Sequence, residues 1–201
     1  MQAMTKTNLN KFMFEKDKME DITSVLSKGG LILYPTDTIW GIGCNACDEK
    51  AIDRIYQLKQ RATTKNFVIL VDSIEMLKKY VREIPPRIET LLYYHIRPLT
   101  LVFEDARNLP GNLIASDNTI AIRIAQDEFC KELIGTFGFP LVATSANISG
   151  EPFPANFGEI SSDIIKGVDY IVKIRRHEKT MGEPSVIAKL GDDGELEFLR
   201  S

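Results

Sequence analysis

Residues 29–38 read GGLILYPTDT, and this stretch establishes a pattern that the rest of the chain repeats. The glycines at 29 and 30 end the amphipathic segment 20–28, because glycine adopts the left-handed conformation that stops a helix. Leu31–Tyr34 is a compact apolar run bounded by glycine and proline, which is typical of a buried strand. Polar residues follow at 36–38, where the strand meets the surface. The stretch therefore predicts a helix, a buried strand and a polar loop, in that order.

The same alternation of amphipathic and apolar segments continues to residue 199. Helices are predicted where apolar residues recur at helical spacing, and strands where short apolar runs lie between turn residues. Both hairpin and crossover connections are needed, so the pattern predicts an α/β fold with helices packed on a mixed sheet. The predicted helices are 48–59, 74–80, 86–94 and 127–137, and the further strands are 67–71, 99–103, 119–124, 141–143, 169–174, 185–190 and 195–199.

Three other segments have weaker patterns. Residues 1–16 show little periodicity and predict a flexible N-terminal arm, which leaves 17–201 as a single domain. Glycines and prolines interrupt residues 148–168, which are predicted to form an irregular, mobile lid. The sequence GDDG at 191–194 predicts a tight turn between the last two strands.

Composition excludes several classes of protein. The chain has 201 residues, of which 44% are hydrophobic and 26% charged, as in ordinary globular proteins. No apolar run approaches the roughly 18 residues of a membrane span, and no secretion signal precedes the first helix. A cytoplasmic protein without a membrane partner is therefore predicted. The net charge of −3 gives no overall bias toward nucleic acid.

Three cysteines, Cys44, Cys47 and Cys130, make an odd count without a secretion signal, which predicts reduced thiols. Cys44 and Cys47 form a C-x-x-C pair, yet the other potential zinc ligands, His95 and His177, lack the spacing of a zinc site. Small buried hydrophobic residues are the favoured interpretation, with zinc binding and redox chemistry as alternatives. No protein-ligated metal is predicted.

The common nucleotide and hydrolase motifs are missing from the sequence. There is no G-x-x-x-x-G-K-[ST] loop, no G-x-G-x-x-G fingerprint and no G-x-S-x-G elbow. Neither histidine has a plausible nucleophile partner. A bound nucleotide would therefore need another kind of phosphate site.

Polar residues at the ends of predicted strands and helices offer such a site. Two cations in Lys59-Gln60-Arg61, and a hydroxyl and an amide in Ser145-Ala146-Asn147, suit an anionic, oxygen-rich ligand such as a nucleoside triphosphate. Ligands of α/β sheets bind where strands end. Alternatives remain open for each group: a solvated helix face for the cations, and local turn hydrogen bonds for the hydroxyl and amide. Arg123, inside an apolar strand, needs either an exposed face or an anionic partner.

Residues 29–43 (GGLILYPTDTIWGIG), Lys59-Gln60-Arg61 and Ser145-Ala146-Asn147 closely resemble the YrdC-like threonylcarbamoyl-AMP synthase family. The resemblance extends over about residues 20–200. It implies a twisted mixed sheet with a central concave ligand cleft in a single catalytic domain. It also implies a nucleotidyltransferase that makes threonylcarbamoyl-AMP and pyrophosphate from L-threonine, bicarbonate and ATP with Mg2+. A tRNA-modifying threonylcarbamoyl transferase would then use this product.

The resemblance also implies roles for individual residues. Lys59 and Arg61 would be catalytic and would meet the triphosphate, while Thr36 would recognise threonine. Arg123 and Arg200 would bind a carboxylate or phosphate. Mg2+ would be held by phosphate oxygens and water. Further hydrogen bonds to phosphate or to the adenylate would come from Ser145, Asn147 and Ser185.

The sequence departs from the family pattern at several positions. Ala62 and Ala125 stand where members often have proline, and Val186 follows Ser185 where members often have threonine. Lys65-Asn66-Phe67 is similar to the YciO-type branch. Two alternatives therefore stand beside the synthase: a YciO-like paralogue with an altered substrate, and a double-stranded RNA-binding module with weak RNA binding.

Overall fold

The computed structural model describes residues 17–179, 182–191 and 195–200. Over these ranges the chain forms six α-helices, one 3-10 turn and nine strands. The helices are α1 (Met19–Ser27), α2 (Glu49–Leu58), α3 (Ile74–Leu77), α4 (Pro86–Tyr94), α5 (Glu128–Phe137) and α6 (Ser162–Gly167), with the 3-10 turn at Phe157–Glu159. The strands are β1 (Ile32–Pro35), β2 (Trp40–Gly43), β3 (Val68–Val71), β4 (Leu99–Phe103), β5 (Ile120–Ile124), β6 (Leu141–Ser145), β7 (Tyr170–Ile171), β8 (Val186–Leu190) and β9 (Leu196–Arg200).

All nine strands join one mixed sheet in the order β7-β1-β2-β6-β3-β5-β4-β8-β9. The pairs β1–β7, β3–β5 and β4–β8 are parallel, and the other neighbours are antiparallel. Buried aliphatic residues of the sheet and of α1, α2 and α5 form a continuous core. The predicted α/β fold with a mixed sheet is confirmed.

Side-chain caps explain where several helices begin. The Asp48 carboxylate accepts hydrogen bonds from the amides of Lys50 and Ala51, and Asp127 and Ser73 cap α5 and α3 in the same way. Asp48 and Lys59 are the N-terminal and C-terminal caps of α2, which agrees with the helix predicted over 48–59. None of the helices in the described part of the chain is long and apolar enough to cross a membrane.

Strand β6 divides its hydrogen bonds between two neighbours. Residues 141–143 pair with β3, whereas Thr144 and Ser145 pair with Ile42 and Gly41 of β2. The register with β3 ends where Ala143 meets Val68, the first residue of that strand. The sheet consequently parts on the β3 side of Ser145, and a cleft opens there.

The sequence did not predict β2, whose four residues Trp40–Gly43 include two glycines that lower strand propensity. Gly43 meets a packing requirement. A Cβ atom there would lie 2.7 Å from both the Tyr34 ring and the Val142 carbonyl oxygen. Close contact between strands, rather than backbone flexibility, explains this glycine.

The predicted irregular lid over 148–168 is wrong in its second half, which contains the 3-10 turn and α6. Ser161 accepts a hydrogen bond from Ile164 N and so begins α6, a cap that the proline and glycine content obscured. The strand predicted over 169–174 shortens to Tyr170–Ile171. The arm at 1–16 lies outside the described residues, as do 192–194 of the predicted turn, and the division into an arm and one domain stays a prediction.

We expect Gly43→Ala to lower the free energy of unfolding by about 1–3 kcal/mol, because the added methyl group meets a ring and a carbonyl that cannot both move away. Urea unfolding checks this. Gly111→Ala is the matched control, since its added methyl group meets no atom within 4 Å, and it should shift stability by less than about 1 kcal/mol. Equal effects of the two substitutions would contradict the packing argument.

Candidate active site

The cleft beside the end of β6 has a volume of about 240 Å3. Its walls come from the loop after β1, from β5 and β6, and from the segments at the ends of β3, β8 and β9. Six of the eight residues predicted from the sequence line it: Thr36, Arg61, Arg123, Ser145, Ser185 and Arg200. Lys59 and Asn147 lie behind this lining. The structure thus brings the predicted residues together, while their individual roles stay predictions.

Arg61 is held against the cleft wall by its own backbone neighbourhood. Its Nε donates to the Lys65 carbonyl oxygen at 2.7 Å, and its Nη2 donates to the Asn66 carbonyl oxygen at 3.1 Å. The guanidinium also lies 5.1 Å from the centre of the Phe67 ring. These contacts fix the orientation of the cation before any ligand arrives.

Arg123 is buried, so the exposed-face alternative is wrong and the anionic-partner alternative is right. Its Nη2 lies 3.2 Å from an Asp37 carboxylate oxygen, and its Nη1 donates to the Thr38 hydroxyl at 3.0 Å. Burial raises the pKa of Asp37, and the charge of Arg123 opposes that shift. Strand alternation could not reveal this pair, because Asp37 comes from a loop 86 residues earlier in the chain.

Arg200 reaches the cleft from the edge strand β9. Its Nε and Nη2 both donate to the Ser185 carbonyl oxygen, at 3.0 and 2.7 Å. The Ser185 hydroxyl in turn lies 2.7 Å from the Thr100 hydroxyl on β4. The Arg200 guanidinium is therefore held by Ser185, the residue before β8, and Ser185 is itself held by β4.

The three guanidiniums outnumber the one carboxylate that pairs with them in the described ranges, that of Asp37, which contacts Arg123 behind the lining, so the cleft keeps an excess of positive charge. The described residues that line the cleft include these three arginines and no acidic side chain. Arg123 and Arg200 are close enough that the charge of Arg123, after burial, lowers the pKa of Arg200. An anionic ligand with several oxygens would relieve this repulsion.

Thr36 is buried, and its hydroxyl is used within its own loop. It donates to the Ile39 carbonyl oxygen at 2.8 Å and accepts from the backbone amides of Thr38 and Ile39. These bonds fold the loop that carries Thr38 and Asp37 toward Arg123. The structure places Thr36 as a support of this wall, and threonine recognition by its side chain stays a prediction.

Lys59 is only 1% exposed, so a solvated helix face is the wrong interpretation for this cation. Its Nζ donates to the carbonyl oxygens of Ser145 and Asn147, the latter at 2.6 Å, and lies 3.4 Å from the Asn147 side-chain oxygen. The backbone amides of Val142 and Ala146 donate hydrogen bonds on the β2 side of the strand. Backbone groups of neighbouring residues point to opposite sides of a strand, so the Ser145 carbonyl oxygen points to the side where β3 has already ended. There the Ser145 carbonyl oxygen accepts hydrogen bonds from the Lys59 side chain and from the Asn147 backbone amide. Burial, followed by the charge of Arg61, lowers the pKa of Lys59 to about 7.

Asn147 adds to the same loop, because its side-chain amide donates to the Glu151 carbonyl oxygen at 2.6 Å. The local-turn alternative therefore describes what Asn147 does here. Ser145 lies within β6 and lines the cleft. The sequence assigned no individual role to Asp37 or Thr38, although both lie in segment 29–43, nor to Phe153, which also lines the cleft.

A larger cavity of about 420 Å3 lies between α4 and strands β4 and β8. None of the predicted site residues lines it. The cysteines are free thiols, with Cys44 and Cys130 buried, which agrees with their interpretation as small hydrophobic residues. No group of three or more histidine, cysteine or acidic side chains in the described ranges could hold a metal ion.

We expect Lys59→Met to destabilise the fold by about 1–3 kcal/mol, because it removes the side-chain donor of the Asn147 carbonyl oxygen and one of the two donors of the Ser145 carbonyl oxygen. Urea unfolding at neutral pH is the measurement. Lys50→Met on the exposed start of the same helix is the control and should stay within about 0.5 kcal/mol of wild type. A Lys59→Met protein as stable as wild type would show that the ammonium does not hold the loop.

The lowered pKa of Lys59 predicts a pH dependence with a definite sign. Between about 7 in the folded chain and its ordinary value of 10.5, the unfolded chain holds more protons at this residue than the folded chain. The free energy of unfolding that Lys59 controls therefore rises with pH in that window, by up to about 1.4 kcal/mol per unit. Urea unfolding of wild type and Lys59→Met at pH 7 and 9 should show a stability difference that grows with pH. A difference independent of pH would contradict the shift.

Comparison with curated proteins finds relatives that share one name. The chain is 32% identical over 159 residues to threonylcarbamoyl-AMP synthase of Pyrococcus abyssi, which covers 79% of this chain and 47% of that protein. It is 31% identical over 163 residues to the protein of the same name from Pseudoalteromonas translucida, covering 80% of this chain and 87% of the relative. The chain thus spans about half the length of the first relative and most of the second.

Comparison with solved structures finds proteins that have the same fold. A variant of P. abyssi Sua5 superimposes with a TM-score of 0.84 at 29% identity, over 92% of this chain and 57% of that one. P. abyssi Sua5 complexed with L-threonine gives 0.79 at 28% identity, over 90% and 53%. E. coli YciO, at 24% identity and 0.78 over 91% and 88%, shares the fold. The family model for Sua5, YciO and YrdC, described as "Telomere recombination", matches residues 24–201. The chain therefore belongs to the Sua5/YciO/YrdC family, as the sequence motifs predict.

Proposed function

We propose that the chain is an L-threonylcarbamoyladenylate synthase and hence a nucleotidyltransferase. The observation that carries the proposal is the set of three anchored arginines, Arg61, Arg123 and Arg200, which line one cleft, while the one acidic side chain of the described ranges that pairs with them, Asp37, contacts Arg123 behind the lining. ATP and the carboxylate of threonine are the anions that such a cleft fits. The names of the relatives, and the L-threonine in the P. abyssi complex, support the same substrates.

The proposed reaction has two steps. The threonine amine, after losing a proton, attacks the carbon of bicarbonate, and loss of water gives a carbamate. A carbamate oxygen then attacks the α-phosphorus of ATP, and the bond to the departing pyrophosphate breaks. Neither step needs a nucleophilic side chain, so catalysis rests on orientation and on stabilisation of negative charge.

The arginines divide the negative charge between them in this proposal. Arg61, fixed by two backbone carbonyls, would neutralise the charge that develops on pyrophosphate as it leaves. Arg123 and Arg200 would bind the threonine carboxylate or a phosphate through the guanidinium N–H groups that Thr38, Asp37 and Ser185 do not use. The hydroxyls of Ser145 and Ser185, both in the cleft lining, would complete the hydrogen bonds to the ligand.

Mg2+ would enter as part of the nucleotide substrate. The acid-free cleft lining offers no carboxylate to bind the ion directly. Phosphate oxygens and water would therefore hold it. A cytoplasmic location, and transfer of the labile product to a tRNA-modifying threonylcarbamoyl transferase, belong to the same proposal.

Pyrophosphate release from ATP tests the proposal directly. Purified protein with Mg2+ and bicarbonate should release pyrophosphate with L-threonine, and much less with L-serine or without an amino acid. Omission of bicarbonate should also stop the release. A folded protein that releases none under any condition would favour a YciO-like paralogue with another substrate.

We expect Arg61→Ala to lower kcat/KM for ATP about 10²- to 10³-fold, because it removes a fixed cation beside the leaving group. The pyrophosphate assay measures this. Arg82→Ala is the control, since Arg82 lies outside the cleft and pairs with Asp105 at an exposed position, and it should leave turnover unchanged. Near-normal turnover of Arg61→Ala would remove Arg61 from the proposed machinery.

A further inference from the structure

Phe153 is an aromatic residue that remains 46% exposed although it lines the cleft. An exposed phenylalanine does not contribute the free energy of folding that burial of its large apolar ring would give. Eight large apolar side chains in the described ranges are more than a third exposed, and of these only Phe153 lines the cleft. The exposure of Phe153 at the ligand cleft therefore needs an explanation in terms of what the cleft holds.

The segment that carries Phe153 is fixed on both sides of it. Before Phe153, Ser149 N donates to the Lys59 carbonyl oxygen at 2.9 Å, and the Glu151 carbonyl oxygen accepts from Asn147. After it, the Phe157 ring lies 5.0 Å from the buried Trp40 ring.

The immediate neighbours of Phe153 restrict it further. Prolines at 152 and 154 limit the backbone conformations available to this part of the segment. The backbone that presents the ring to the cleft is thus already ordered without a ligand.

The other aromatic residue of the cleft lining, Phe67, already has partners. Its ring lies 4.3 Å from the Tyr56 ring, and the Arg61 guanidinium covers it at 5.1 Å. Phe153 has no ring–ring or cation–π contact with any residue in the described part of the chain. Its π-face therefore remains available to a ligand in the cleft.

We propose that Phe153 is the stacking surface for the nucleobase of the bound nucleotide, an inference that rests on the proposed function. The three arginines account for the phosphates and the carboxylate, but a guanidinium bound to those anions leaves the flat, weakly polar base without a partner. A half-exposed aromatic ring on an ordered segment provides one, because every base has a π-face that can stack on it. The stacking contributes affinity and aligns the α-phosphorus, and it does not select one base by hydrogen bonding.

Isothermal titration of ATP and of inorganic tripolyphosphate, which has no base, separates stacking from a structural effect. Phe153→Ala should weaken ATP binding roughly tenfold, as expected for loss of one base–aromatic contact. Tripolyphosphate binding should stay unchanged, because the arginines are untouched. Phe153→Tyr should retain wild-type ATP affinity, since it keeps the ring, whereas Phe153→Leu should lose most of it.

Phe139→Ala is the matched control, since Phe139 is also 46% exposed but packs against Phe137 at the end of α5 and does not line the cleft. It should leave both affinities unchanged. Equal weakening of ATP and tripolyphosphate by Phe153→Ala would overturn stacking, and so would a change confined to the KM for threonine. If wild type binds tripolyphosphate and threonine but not ATP, the proposed function itself fails, and the inference fails with it.

Discussion

The side chain of Lys59 supports the sheet where it opens. A strand that leaves its neighbour exposes carbonyl oxygens, and a buried carbonyl without a donor is costly. At Ser145, where β3 no longer supplies a donor, the carbonyl oxygen accepts from the Asn147 amide and from the Lys59 side chain, which also donates to the Asn147 carbonyl oxygen. The sheet can therefore part in its middle without losing its hydrogen bonds. The Lys59 side chain therefore supports the wall of the cleft at Ser145 together with a backbone donor.

The position of Lys59 changes how its motif is understood. In Lys59-Gln60-Arg61 the two cations differ in what they contact: the lysine supports the loop from behind, and the arginine presents its guanidinium to the cleft. Gln60 between them has a φ of 50°, a left-handed conformation that turns the two side chains in different directions at the end of the helix. Of these two like charges, Lys59 thus supports the loop and Arg61 faces the cleft.

Much of the fold could be predicted from local sequence. Caps such as Asp48 and the apolar runs are local signals, so most elements were placed correctly. Strand β2 was missed because Gly43 is needed for close contact with Tyr34 and with Val142, and Val142 is far away in sequence. The end of the lid region was missed because Ser161, which caps α6, lies among glycines and prolines.

The site was only partly predictable for a similar reason. Motif resemblance indicated which residues meet at the cleft, but not which of them face it. The Asp37–Arg123 pair joins a loop to a strand far away in sequence, and no periodicity records that contact. The local bonds of Thr36 and the buried donors of Lys59 are likewise properties of the assembled sheet. The family resemblance indicated which residues belong to the site, and the structure shows which of their side chains face the cleft.

The cleft draws its walls from the first strand and from the last one. Thr36 follows β1, whereas Arg200 lies in β9 and reaches back to Ser185. Chain segments separated by most of the sequence must therefore be in place before any ligand can be held, and a partly folded or nascent chain has no site. A ligand that binds only the finished cleft also stabilises the native state as a whole. Substrate supply and the survival of the folded protein are thereby linked.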